Sequence, residues 1–136
     1  MIRVLIVEDQ KIMQKYFEYL IENNKEEFQH VQTIADAYEA IKICSKTRVD
    51  LVLMDVQTFH NHDGLKAGKE IKEAHPKIKV LIVTSLIDPE VLARAKSGNA
   101  DSLWYKDHGD EEILDVIRRT LEGQRVFPDI SPDVQL

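Results

Sequence analysis

Five short apolar runs alternate with amphipathic stretches along this chain, and this alternation restricts the fold more than any other feature of the sequence. The runs occupy residues 4–7, 31–34, 51–54, 80–83 and 103–105. Three of them are four apolar residues without interruption, which is typical of strands covered on both faces in a parallel sheet. We therefore interpret the five runs as strands.

Helical patterns fill the intervals between these strands. Apolar residues recur at spacings of three and four within residues 13–20, 37–44, 67–71, 91–95 and 113–121, as in an amphipathic helix. A strand–helix unit repeated five times predicts a parallel sheet with right-handed crossovers and helices on both faces. The predicted fold class is therefore α/β, a doubly wound five-stranded parallel sheet in the flavodoxin-like order 2-1-3-4-5 with five helices.

Capping residues mark several helix ends. Asp36 and Asp88 precede helical patterns, where an aspartate side chain accepts hydrogen bonds from the first backbone N–H groups. Gly98 and Gly123 follow helical patterns, so we expect both in the left-handed conformation that often ends a helix. Acidic residues 110–112 precede the fifth pattern, where the helix dipole favours anions.

Length, charge and cysteine content exclude several classes of protein. The 136 residues suffice for one domain with a substantial core. The formal net charge of −6 provides no basic surface for nucleic acid or an anionic membrane. The single cysteine, Cys44, permits no internal disulfide, and no apolar run approaches the roughly 18 residues of a membrane span. We therefore expect a cytoplasmic location.

Polar side chains follow four of the predicted strands directly. In chain order they are Glu8 and Asp9, Asp55, Thr84, and Lys106. The carboxyl ends of parallel strands meet along one edge of the sheet, where such folds bind ligands. We therefore expect three carboxylates, a hydroxyl and an ammonium group in one cleft.

This combination of groups favours phosphoryl chemistry with a divalent cation. Three carboxylates at close range repel one another, and one lysine cannot neutralise them, whereas Mg²⁺ binds carboxylate and phosphate oxygens. An aspartate beside such an ion can attack a phosphoryl group and form an acyl phosphate. The lysine and the hydroxyl then stabilise the phosphoryl oxygens.

These motifs, in this order, resemble the receiver domain of two-component response regulators. The likeness covers residues 1 to 124 and rests on the segments 7–9, 54–55, 83–85 and 105–107 together with the strand–helix alternation. The Lys106-Asp107 ending is most similar to the subfamily with a C-terminal LuxR-type helix-turn-helix domain.

The resemblance implies a role for each residue of the cleft. It implies Asp55 as phosphoacceptor, Lys106 as the phosphoryl-binding lysine and Thr84 as the switch hydroxyl. The implied Mg²⁺ ligands are Glu8, Asp9, Asp55 and the backbone carbonyl of Gln57. It also implies that the domain serves phosphorelay signalling and is not an enzyme in the ordinary sense.

The partners and the output follow from the same resemblance. It implies a sensor histidine kinase as phosphodonor, a switch at helix 4, strand 5 and helix 5, and a homodimer on phosphorylation. Residues 126–133 contain two prolines and no period, so we expect a receiver domain over 1–124 and a linker or tail over 125–136. DNA would be bound only by an output domain beyond this chain. A stand-alone receiver that acts by protein contact is the alternative.

Two departures from the family pattern affect the expected switch. Many receivers carry an aromatic residue three positions before the lysine, where this sequence has Leu103. We therefore expect Tyr105, or repacking alone, to carry the change. The loop 57–64 lacks the common proline and is one residue longer.

Three rival interpretations fit the sequence less well. An aspartyl phosphatase carries an Asp-x-Asp pattern, whereas Asp55 is followed two residues later by Gln57. A flavin or nucleotide module has a Gly- or Ser/Thr-rich phosphate loop after strand 1, where this chain has two acids. His60 and His62 lie near the acids, but two histidines on a polar loop are usually solvated surface residues, not a transition-metal site.

Overall fold

One five-stranded parallel sheet forms the centre of the molecule. The structure, a computed structural model, describes residues 1–106 and 112–129. Its strands are β1 (Ile2–Val7), β2 (Phe28–Ile34), β3 (Leu51–Asp55), β4 (Lys79–Thr84) and β5 (Ser102–Tyr105). They are hydrogen-bonded in the order β2-β1-β3-β4-β5, and every pair is parallel. The predicted fold class and strand order are confirmed.

Four helices connect the strands, and a fifth follows β5. They are α1 (Lys11–Glu22), α2 (Ala37–Lys46), α3 (Gly64–Ala74), α4 (Pro89–Ser97) and α5 (Ile113–Leu121). A short 3-10 turn at Phe59–Asn61, which the sequence patterns did not predict, follows β3. No helix in the described part of the chain is long and apolar enough to cross a bilayer.

Alternating side chains of the sheet form two separate hydrophobic cores. Leu5 and Val7 of β1 point to one side, where they pack with α2, α3 and α4. Val4 and Ile6 point to the other side, where they pack with α1 and α5. Because both faces are covered, the middle of each central strand is apolar. The polar groups of the site follow at the carboxyl ends.

Most of the predicted helix ends are found, with one correction. Asp36 accepts a hydrogen bond from the Tyr38 N–H, and Asp88 accepts one from Glu90. Gly123 has a φ of 100°, as predicted. Gly98 has a φ of −84°, so the prediction of a left-handed Gly98 is wrong.

The left-handed residue after α4 is Asn99, with a φ of 64°. Asparagine tolerates this conformation better than most side chains. The chain therefore turns away from α4 one residue later than the position of Gly98 predicts. The predicted acids at residues 110 and 111, and Asp107, lie outside the described residues.

The two edge strands of the sheet, β2 and β5, differ in their backbone hydrogen bonding. Along β2, the register with β1 shifts between Val4 and Leu5. Along β5, the Leu103 N–H donates a hydrogen bond of 2.9 Å to the carbonyl of Val126, in the segment that follows α5. Residues 125–129 of the predicted linker or tail are thus described beside β5, and residues 130–136 lie outside the described part. The domain boundary itself stays a prediction.

Cys44 belongs to the core of the α2 side. Its side chain is buried, and burial raises the pKa of its thiol to about 11. A buried, protonated thiol is unreactive, in agreement with its place on the apolar stripe of α2.

Candidate functional site

The carboxyl ends of β1 and β3 bring three acids into one group. Glu8 and Asp9 follow β1, and Asp55 is the last residue of β3. One carboxylate oxygen from each of these residues lies within 4.8 Å of the others. Because β1 and β3 are neighbours in the sheet, acids that are far apart in sequence meet at one edge. The predicted clustering of the acids is confirmed, while their roles stay predictions.

One lysine bridges two of these acids. The Nζ atom of Lys106 lies 2.6 Å from Oε1 of Glu8 and 3.2 Å from Oδ1 of Asp55. The three side chains are 6%, 0% and 9% exposed, respectively. Burying charges is costly unless they are paired, so this cluster depends on its lysine. With Asp9 included, three carboxylates still face a single ammonium group.

Burial and the charge of Glu8 both increase the proton affinity of Asp55. Burial raises the pKa of Asp55, and the nearby charge of Glu8 raises it further, while Lys106 acts in the opposite direction. Burial alone would lower the pKa of Lys106, but its hydrogen bond to Glu8 and the charges of both acids raise it. Lys106 therefore stays protonated, and Asp55 is more easily protonated than an ordinary aspartate. A second positive charge beside Asp55 would favour its ionised form.

Local hydrogen bonds hold the β1–α1 loop in place. The second oxygen of Glu8, Oε2, accepts a bond of 3.0 Å from the N–H of Gln10. The side chain of Gln14 donates to the carbonyl of Glu8 at 2.6 Å. Glu8 is thus fixed from two sides, whereas Asp9 is exposed. The acids therefore offer one rigid carboxylate and one that is free to approach a ligand.

Thr84 and Gln57 lie at the same edge of the sheet. Thr84 ends β4, is buried, and accepts a hydrogen bond at Oγ1 from the N–H of Leu86. Its carbonyl accepts the N–H of Lys106 at 2.9 Å, which ties the ends of β4 and β5 together. Gln57 is exposed two residues after Asp55 and forms an isolated bridge with Asp63. Both residues lie where the sequence placed them.

Gly64 is a positioning residue that the sequence analysis missed. A Cβ atom at Gly64 would lie 1.7 Å from the carbonyl oxygen of Asp55. The N–H of Gly64 also donates to the carbonyl of Val56 at 2.7 Å. Helix α3 therefore begins against the backbone of the phosphoacceptor candidate. In the sequence, the pair Asp63-Gly64, a helix-capping aspartate followed by a glycine, could have indicated this position.

The loop after β3 is tied to the start of α2. Buried Thr58 accepts from the N–H of Ala37 at 3.0 Å and donates to the carbonyl of His62 at 2.8 Å. His62 in turn contacts Asp36 at 2.6 Å through Nδ1. His62 therefore stabilises the loop. Among residues 1–106 and 112–129, the acids Glu8, Asp9 and Asp55 form the one group of three or more side chains that could hold a metal ion.

Comparison with known proteins decides the family. A profile of the response regulator receiver domain matches residues 4–118. The chain belongs to this family. Response regulator protein VraR of Staphylococcus epidermidis is 32% identical over 93% of this chain. The uncharacterized transcriptional regulatory protein YxjL of Bacillus subtilis is 29% identical over 96% of it.

A solved structure supports the same conclusion. This receiver is similar to a two-component response regulator of the LuxR family from Aurantimonas sp. SI85-9A1, with a TM-score of 0.82 and 26% identity. The match covers 98% of this chain and 91% of that one. The likeness to the LuxR-type subfamily is thereby confirmed. The chain spans 59% of the length of its relatives VraR and YxjL.

We predict that Gly64→Ala disrupts the site. The added methyl group must displace the backbone of Asp55, and overpacking at a rigid position costs about 3 kcal/mol. We expect this loss in the free energy of unfolding in urea, together with at least a tenfold lower yield in the Asp55 labelling test described below. Gly68→Ala in the same helix is the control, because its Cβ would meet only side chains, the nearest at 3.3 Å. Equal stability of the two variants would contradict the role of Gly64.

Proposed function

We propose that this receiver domain takes a phosphoryl group from a sensor histidine kinase onto Asp55. The observation that carries the proposal is the buried trio of Glu8, Asp55 and Lys106, joined by contacts of 2.6 and 3.2 Å. A buried acid whose pKa is raised by a second acid and held by one lysine is typical of a functional site. Membership of the receiver family supports the same assignment.

The nucleophile would be the second carboxylate oxygen of Asp55. Oδ1 accepts the N–H of Val56 at 2.9 Å and contacts Lys106. Oδ2 takes part in neither of these two contacts, and we propose it as the oxygen that attacks phosphorus. The P–N bond to the donor histidine breaks as the O–P bond of the acyl phosphate forms, and the histidine leaves with the bonding pair. Lys106 neutralises charge on the transferred group.

The donor set fits a magnesium ion. Glu8, Asp9 and Asp55 offer the hard oxygen ligands that Mg²⁺ prefers, and Asp9 is exposed enough to move toward it. We propose these three carboxylates and the Gln57 carbonyl as ligands, direct or through water. The ion supplies positive charge for the phosphoryl oxygens when bound. Its charge would also keep Asp55 ionised, against the effect of burial and Glu8.

Thr84 and Lys106 would connect phosphorylation to the α4–β5–α5 surface. Both would contact phosphoryl oxygens. Lys106 directly follows β5, and Thr84 accepts the N–H of Leu86 in the loop before α4. Leu103 cannot supply a phenol hydroxyl, while Tyr105 is buried and its hydroxyl has no hydrogen-bond partner among the described residues. We propose that Tyr105 repacks in the phosphorylated state, where its hydroxyl gains a partner.

The output would be transcription, through a domain outside this chain. VraR and YxjL are longer than this chain, and YxjL is named a transcriptional regulatory protein. We propose a cytoplasmic protein with a receiver domain over residues 1–124, a connection over 125–136, and a LuxR-type DNA-binding domain beyond. Phosphorylation would promote a homodimer. A stand-alone receiver remains the second candidate, because the described residues complete the site without any other domain.

Asp55 phosphorylation can be tested with a small donor. We expect acetyl phosphate with Mg²⁺ or Mn²⁺ to add one phosphoryl group, measured by intact-mass spectrometry and mapped to Asp55. Asp55→Asn should show no adduct, because it lacks the nucleophilic carboxylate. Asp129→Asn, at an exposed position in the segment after α5, is the matched control. An adduct of equal yield on Asp55→Asn would refute the assignment.

Removal of the exposed acid should weaken cation binding. We expect Asp9→Ala to raise the Mg²⁺ dissociation constant at least about tenfold, since losing a ligand carboxylate typically costs more than 1.4 kcal/mol. Trp104, two residues before Lys106, provides a fluorescence signal for the titration. Asp129→Ala serves as control. An unchanged dissociation constant in Asp9→Ala would exclude Asp9 from the metal site.

The proposed output makes a prediction about the gene and about DNA. The native reading frame should continue past Leu136 for roughly 60 to 80 residues, enough for a helical DNA-binding module. The 136-residue chain alone, with a net charge of −6, should show no salt-dependent affinity for DNA in fluorescence anisotropy. A stop codon directly after Leu136 would contradict the transcriptional output and favour the stand-alone receiver.

A further inference from the structure

The loop between β3 and α3 is strained and closes on itself. Two successive residues, His60 and Asn61, both have a φ of 60°, a conformation that side chains other than glycine seldom adopt. The two ends of the loop meet where Gln57 forms an isolated antiparallel bridge with Asp63. We name residues 57–63 the β3–α3 loop. Such strain persists only where the surrounding structure holds the segment, so contacts outside the loop must maintain its shape.

One set of these contacts is made with the start of α2. The N–H of Phe59 donates to the carbonyl of Ala35 at 2.8 Å, which adds to the contacts of Thr58 and His62 with the same region. The His62 ring also stacks on the ring of Tyr38, with the ring centres 3.9 Å apart. Backbone, hydroxyl and ring contacts therefore fix the loop to α2.

A second set of contacts joins the loop to α4 across a cleft. The cleft has a volume of about 370 Å³, and both Asp63 and Arg94 line it. Nη2 of Arg94 donates to Oδ2 of Asp63 at 2.5 Å. The other oxygen of Asp63, Oδ1, accepts the N–H of Leu65 at 2.8 Å and so caps α3. One carboxylate thus connects the end of the loop to both α3 and α4.

The carbonyl of Gln57 takes no part in closing the loop. On one side of the bridge, the N–H of Thr58 donates to the carbonyl of His62 at 3.1 Å. On the other side, the N–H of Gly64 donates to the carbonyl of Val56 at 2.7 Å. Gln57 contributes to neither bond. Its carbonyl, the proposed backbone ligand of the cation, therefore depends for its position on the residues that hold the ends of the loop.

We infer that Arg94 is a positioning residue for the cation site, because its ion pair with Asp63 fixes the end of the loop that is bridged to Gln57. This inference rests on the proposed function, in which the Gln57 carbonyl is a ligand of Mg²⁺. Arg94 is itself a cation and cannot be a ligand, so it acts through Asp63 and the bridge. Helix α4 is thereby connected to the cation site by one ion pair and one bridge.

The sign of the change in Mg²⁺ affinity distinguishes positioning from plain electrostatics. Arg94 and the metal ion are both positive, so removal of Arg94 would strengthen Mg²⁺ binding if only Coulomb forces acted. Removal weakens binding if the loop then carries its carbonyl away from the site. We expect weaker binding, because a strained loop that loses a contact relaxes toward commoner backbone conformations. The ion pair is partly exposed, and such pairs contribute little to global stability.

Titration of the 136-residue chain with Mg²⁺, followed through amide chemical shifts in NMR spectra, measures this affinity. We expect Arg94→Ala to raise the Mg²⁺ dissociation constant at least about fivefold, and Arg94→Lys, which keeps the charge, to recover part of the loss. Lys96→Ala removes an exposed cation from the same helix and should not raise the constant. A constant for Arg94→Ala that is unchanged or lower overturns the inference and leaves the proposed function standing. The absence of Mg²⁺-dependent shifts at Asp9 and Gln57 in the unaltered chain overturns both.

Hydrogen exchange and a double-mutant cycle distinguish positioning from a general loss of structure. Without Mg²⁺, amide exchange within residues 56–64 should be at least about fivefold faster in Arg94→Ala, with exchange in β1 unchanged. Asp63→Asn keeps a capping residue for α3 but loses the ion pair, so it should also weaken Mg²⁺ binding. Because the pair acts as a unit, the double variant should bind no more weakly than the weaker single variant. Unchanged exchange in the loop, equally faster exchange in β1, or fully additive losses of affinity would each overturn the positioning role.

Discussion

The contact of Lys106 with Glu8 and Asp55 is the interaction on which the site depends. Two carboxylates that are almost wholly buried would repel each other and would be costly to desolvate without a cation between them. The lysine makes this burial tolerable and still leaves an excess of negative charge once Asp9 is counted. In the proposed function, that excess attracts a divalent cation. The same proposal gives Lys106 a second task, because the residue that stabilises the buried acids would also contact the incoming phosphoryl group.

The sheet explains why one lysine can reach both acids. Apolar residues fill the middle of β1, β3 and β4 on both faces, so the polar side chains of the site lie where the strands end. The parallel arrangement then brings all of those ends to one edge. Glu8, Asp55 and Lys106, spread over most of the sequence, become neighbours for this reason. The apolar interior of the parallel sheet therefore determines both the fold and the position of the charged cluster.

Features set by local pattern were predictable from sequence, while features set by tertiary approach were not. Strand order and the acid cluster follow from apolar runs and from what comes after each run. The contact between Gly64 and the Asp55 carbonyl depends on where α3 meets β3, which no local period encodes. Asn99, not Gly98, takes the left-handed conformation, so residue type alone did not identify the position at which α4 ends. The proline-bearing segment after α5 has no period, yet Val126 is buried because the edge of β5 offers it hydrogen bonds.

The two edge strands of the sheet also affect how copies of the domain associate at high concentration. At one margin, β2 pairs with β1 across a shift in register, and its outward positions Gln29, His30 and Gln32 are polar and exposed. At the other, residues 124–129 after α5 occupy hydrogen-bonding groups of Ser102 and Leu103. Irregular, polar or covered edges resist the addition of a strand from another molecule. Association between copies is therefore directed to helical surfaces, and growth of the sheet from one molecule into the next is disfavoured even at high concentration.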